Sequence, residues 1–244
     1  MAKDRDSTPA PAQAAGKPAA ASARPEIDAF IARARTLAPN LEAGQRGRLI
    51  FALDATMSRQ PTWDAACQLQ GEMFREAAAI GGLEGQLVYY RGFNECRASG
   101  WVADGARLAG LMTGISCRGG RTQIGKILAH ARRETEKVKA QALVFVGDAM
   151  EEEIDDLAAA AGELGLRGVP AFLFQEGDDP VAEQAFREIA RLTRGAYCRF
   201  DVGAAHQLRE LLRAAAAYAA GGMRALNDLS RRGTGAQALL RQMT

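Results

Sequence analysis

The sequence predicts a doubly wound α/β domain over residues 46–220: a mostly parallel sheet with one antiparallel edge strand and helices on both faces. Three observations predict it. Short, near-continuous apolar runs recur along the chain, at residues 49–53, 87–90, 142–146, 169–174 and 197–200. Segments with helical periodicity separate most of them. The first run ends at Asp54 and the central one at Gly147-Asp148. A strand that is apolar on both faces must be covered on both, as in a parallel sheet flanked by helices.

The elements follow in order. Residues 1–25 hold Pro9, Pro11, Pro18 and Pro25 among Ala, Ser and Lys, without large apolar side chains, and read as a disordered tail. Ile27, Phe30, Ile31, Ala34 and Leu37 fall at helical spacing before Pro39, so residues 26–45 read as a helix and linker. The first strand covers residues 49–53. A helix over 62–80 stops at Gly81-Gly82, and a second strand covers 87–90. Gly92-Phe93-Asn94 makes a turn, so the strand near 95–101 pairs back as an antiparallel hairpin. Helices are expected over 104–113 and 123–139, with Gly119-Gly120 opening the loop between them. Strand 142–146, helix 150–164, strand 169–174, helix 180–193, strand 197–200 and helix 204–220 complete the alternation. Residues 221–244 are weakly patterned and read as a flexible tail.

Composition narrows the function. The 244 residues carry 31 Lys and Arg against 29 Asp and Glu, a net charge of +2, so an electrostatic nucleic-acid binder is not expected. The basic excess sits in the ends: residues 1–25 are +2 and 221–244 are +3, which leaves 26–220 at −3. No apolar run approaches the roughly 18–20 residues that span a bilayer. The mixed-charge start Met1–Asp6 leads into no apolar segment. No membrane attachment is expected, and a cytoplasmic location is. Cys67, Cys96, Cys117 and Cys198 are widely spaced, without a Cys-x-x-Cys pair, which argues against structural zinc and a disulfide framework.

In an open doubly wound sheet, ligands bind beyond the carboxyl ends of the strands. Asp54-x-Thr56-x-Ser58 follows the first strand, Thr122 follows the Gly119-Gly120 loop, and Asp148 follows the central strand. These are oxygen donors without sulfur or imidazole, a set that suits Mg²⁺ before Mn²⁺ or Ca²⁺. Each residue alone also suits a helix cap, but their joint placement favours a cation site. The run Glu151-Glu152-Glu153, with Asp155 and Asp156, reads as the solvated first turn of the next helix.

Together these motifs resemble the von Willebrand factor A domain family, over residues 46–220. The resemblance implies a metal-ion-dependent adhesion site with Asp54, Thr56, Ser58, Thr122 and Asp148 as the metal shell. Thr56 stands where the family usually has serine. It further implies a protein-binding module and no enzyme, with the Mg²⁺ site completed by an acidic residue of a protein partner. Met57, Arg59 and Arg121 flank the site and are candidates for touching that partner. Intracellular bacterial members often work beside ATPases or in metal-chelatase assemblies, which the resemblance extends to this chain as an expectation. The oligomeric state is not legible.

One rival is a haloacid-dehalogenase-like phosphotransferase, which the chain also resembles. There Asp54 would be the nucleophile, and Asp148 with Glu152 would approximate the Gly-Asp-x-x-x-acid segment that holds Mg²⁺. Thr56 stands where such phosphatases place their general acid, and Ser58 and Thr122 gain no role.

Overall fold

In a computed structural model of the protein, residues 47–63 and 83–200 are described, together with Leu212, Arg213, Ala215, Ala216 and Ala219. The expected tail 1–25, the helix and linker 26–45, most of helix 62–80 and the tail 221–244 lie outside the described residues.

Six strands form one sheet: β1 (Gly47–Asp54), β2 (Leu83–Arg91), β3 (Glu95–Ala98), β4 (Ala142–Gly147), β5 (Ala171–Glu176) and β6 (Ala196–Phe200). Their order is β3-β2-β1-β4-β5-β6. All neighbours pair in parallel except β2 with β3, where Val88 faces Ala98 and Arg91 faces Glu95. The antiparallel edge hairpin expected around Gly92 is therefore present, and Gly92 takes the left-handed φ of 61° that its turn requires. Four described helices accompany the sheet: α1 (Gly105–Thr113), α2 (Ile124–Lys137), α3 (Ile154–Leu166) and α4 (Pro180–Leu192).

The apolar runs are continuous because alternate residues serve opposite faces. Leu49, Phe51 and Leu53 of β1 pack with Leu108 and Met112 of α1 and with Leu212, Ala215, Ala216 and Ala219. Those last residues are helical, within the helix expected over 204–220. Ile50 and Ala52, on the other face, pack with Ile127 and Leu128 of α2, Leu157 and Leu164 of α3, and Phe186 and Ile189 of α4. Burying each such side chain is worth about 1.5–3 kcal/mol, so the helices are held mainly by the sheet they cover.

Strand β2 starts at Leu83 rather than 87 and β3 ends at Ala98 rather than near 101, and two further shifted boundaries bear on the site. The helix after β4 starts at Ile154 rather than near 150, because Glu151 and Glu152 are committed to the neighbouring loop. The strand expected at 169–174 runs Ala171–Glu176 and so ends on an acid.

Candidate metal centre

The strand order places the site. The chain winds outward from β1 through β2 to β3, then returns to β4 on the other side of β1. The carboxyl ends of β1 and β4 are thus the switch point, where a crevice opens in a doubly wound sheet. Asp54 ends β1, Gly147 ends β4 with Asp148 next, and Glu176 ends β5.

Asp54 is fully buried. Its Oδ1 accepts from the Thr56 backbone N–H at 2.7 Å, and its Oδ2 accepts from the Tyr90 hydroxyl at 2.8 Å. Thr56 and Ser58 bring their Oγ atoms to 3.0 Å. This curl is fixed from outside: Ala55 N–H donates to Tyr90 O at 2.9 Å, and Arg118 N–H donates to Ala55 O at 3.0 Å. Burial pushes the Asp54 carboxyl up to about 6; the bonds from Thr56 and Tyr90 oppose the rise, and the charge of Asp148 adds to it. Burial likewise lifts the Tyr90 hydroxyl well above its ordinary value, so it remains a donor.

The second loop is set by Gly120. A Cβ there would stand 2.0 Å from the carbonyl oxygen of Gly92, so only glycine fits; at Gly119 nothing lies within 4 Å. That same Gly92 oxygen accepts from Arg121 N–H and Gln123 Nε2, each at 3.1 Å. Thr122 follows and is tied to Glu151 twice: its Oγ1 accepts from Glu151 N–H at 2.9 Å, and its N–H donates to Glu151 Oε2 at 3.1 Å. Glu152 reaches the open N-terminus of α2, accepting from Ile124 N–H at 2.6 Å and Gly125 N–H at 2.9 Å. Asp155 and Asp156 do lie in the first turn of α3, but Glu151 and Glu152 precede the helix. These two glutamates join the loop after β4 to the loop before α2.

Asp148 is half-buried, and its Oδ1 is buried without a hydrogen-bond partner among the described residues. It does not cap α3, whose N-cap position is Glu153. Nor does Thr122 cap α2, where Gln123 holds that position.

The three flanking residues separate. Met57 is 54% exposed and Arg121 is exposed, so both are open to a partner. Arg59 is only 1% exposed, which corrects the expectation that it faces a partner. The 3₁₀ turn Met57–Thr62 folds it inward, where it forms an ion pair with Glu176. Burial pulls its pKa below the ordinary value, while Asp148 first and then Asp54 oppose this by favouring the cation. Tyr90 and Glu176 carry no local sequence signal, and the acidic run signals Glu151 and Glu152 without the loop contacts that they make.

The donor set fits a hard cation. Asp54, the Thr56–Ser58 hydroxyl pair and the orphaned Asp148 Oδ1 are all oxygen, as such ions require. Thr122 offers a hydroxyl oxygen from the adjoining loop. Among the described residues no three His, Cys, Asp or Glu side chains gather as a metal cluster, so the acidic share of this set is two carboxylates.

No protein-family model matches the sequence, and no curated protein sequence matches it. Solved structures do match. A von Willebrand factor type A protein from Catenulispora acidiphila superposes with a TM-score of 0.55 at 19% identity, over 70% of this chain and 43% of that one. The chain therefore has the fold of von Willebrand factor A domains. The SpRpn10 VWA domain gives 0.55 at 12% identity, over 73% of this chain and 97% of that one. Proximal thread matrix protein 1 from the mussel byssus, with a zinc-occupied adhesion motif, gives 0.57 at 15% identity, over 70% and 46%.

Proposed function

We propose that the chain is a non-catalytic protein-binding module of the von Willebrand factor A type, with its recognition surface at the carboxyl ends of β1 and β4. Asp54, Thr56, Ser58, Thr122 and Asp148 hold a divalent cation there, Mg²⁺ first and Mn²⁺ or Ca²⁺ as alternatives. When bound, the cation supplies a Lewis-acid position that takes an acidic side chain of the partner. Met57 and Arg121 provide exposed contacts beside it.

The observation that carries this reading is the buried Asp148 Oδ1, which has no hydrogen-bond partner among the described residues. Buried oxygens are almost always satisfied, and an exception calls for a ligand. The zinc-occupied motif of the mussel neighbour supports the same placement by fold.

A phosphotransferase is not favoured. Such an enzyme would need Asp54 as its nucleophile and a general acid two positions on. Thr56, at that position, has no acid to donate to a leaving group.

Two measurements test the proposal. Manganese electron-resonance titration is expected to show weak binding that Asp54→Ala removes; binding unchanged in that variant sinks the site. Capture from native extract, with and without a chelator, is expected to lose one major partner on chelation. Phosphoester turnover that depends on Asp54 would restore the rival.

A further inference from the structure

Arg59 is the bulkiest fully buried side chain among the described residues. Its guanidinium pairs with Glu176 at the end of β5 and lies in the fields of Asp148 and Asp54, at the ends of β4 and β1. A buried arginine is costly unless acids surround it, and buried acids are costly unless a cation does. Here one resident cation serves three acids from three adjacent strands.

We infer that Arg59 is a built-in counter-cation of the metal centre: it holds the acid cluster together without metal and keeps divalent-cation affinity low. This rests on the metal reading proposed above. Like charges in a water-poor site repel strongly, so a buried guanidinium paired with Glu176, in the field of Asp148 and Asp54, opposes a second cation on those carboxylates. Glu176 restrains that opposition by drawing the guanidinium toward β5. The site is thereby tuned for an ion that stays only when the partner's carboxylate joins it. Arg59 acts as an affinity-setting residue, not as a partner contact.

The two members of the pair should move metal affinity in opposite directions. In Mn²⁺ titrations of the full chain, Arg59→Gln is expected to bind on the order of tenfold tighter than the parent, because the opposing charge is gone. Glu176→Gln is expected to bind more weakly, because the guanidinium is released toward Asp148. A purely structural pair would weaken binding in both variants. Equal or weaker binding by a folded Arg59→Gln overturns the inference while parent binding that Asp54→Ala removes leaves the metal centre standing. No binding by either parent or Arg59→Gln defeats the metal reading and the inference with it. If Arg59→Gln does not fold, the parent decides: the Arg59 Nε–H resonance should shift as Mg²⁺ saturates the site. An unmoved resonance at saturation overturns the inference.

Discussion

Tyr90 shows how one hydroxyl sets the chemistry of the site. It is fully buried, and it donates to Asp54 Oδ2 at 2.8 Å. Tyr90→Phe keeps the ring, with its stack on Phe145 at 6.2 Å, and deletes the donor. The buried carboxylate oxygen then loses this donor. Stability should fall by about 1–3 kcal/mol in urea unfolding, and metal-free Asp54 should become harder to ionise. No change in either would mean that Asp54 is satisfied some other way. At this scale the sequence was legible only where partners sit close along the chain. Asp54, Thr56 and Ser58 lie within five residues and were readable together. Tyr90 is 36 positions from Asp54 and looks like an ordinary strand aromatic. Arg59 misled for the same reason: it follows a polar loop, and only the 3₁₀ turn reveals that it points inward.

At the scale of elements, the loop after β4 is bound both to the loop before α2 and to the N-terminus of α2 itself. Glu152 caps α2 across 28 positions instead of opening its own helix. A carboxylate on two free N–H groups at a helix N-terminus is stabilising through both hydrogen bonds and dipole. Glu152→Ala should therefore cost about 1–2 kcal/mol, and α2 amides 124 and 125 should lose hydrogen-exchange protection before those of α3. The Gly119-Gly120 pair makes a sharper contrast. Gly120→Ala drives a Cβ into the Gly92 carbonyl and should cost about 1–3 kcal/mol. Gly119→Ala meets open space and should be nearly neutral in the same melt. Sequence indicated that glycine mattered in this loop but not which one, because the constraint comes from the opposing hairpin. Strands were located within a few residues by their apolar runs. The acidic run suggests a helix start near 150, whereas Glu151 and Glu152 serve the neighbouring loop and only Asp155 and Asp156 lie in the first turn of α3.

For the whole molecule, the doubly wound class is the most legible feature, since alternating apolar runs and amphipathic helices leave few other arrangements; the strand order β3-β2-β1-β4-β5-β6 comes from the structure. What that order does to a charge in the interior can be read from stability against pH. His130 of α2 lies half-buried against β2, with Nε2 at 2.8 Å from Gln86 Oε1. Burial lowers its pKa below 6.5; Glu134 opposes that, while Arg133 and Lys137 reinforce it. In the folded chain the ring is thus neutral where an unfolded histidine has begun to take up a proton. Its contribution is complete above pH 6.5 and is lost as pH falls from there toward the lowered folded value. His130→Gln removes the titration while keeping an amide able to reach Gln86. The difference in unfolding free energy between parent and variant should therefore be constant above about pH 7 and shift toward the variant as pH falls below 6.5. Taking the difference cancels the titrations common to both chains. A difference that stays flat down to pH 5 would place His130 in contact with solvent and detach α2 from the sheet at that point.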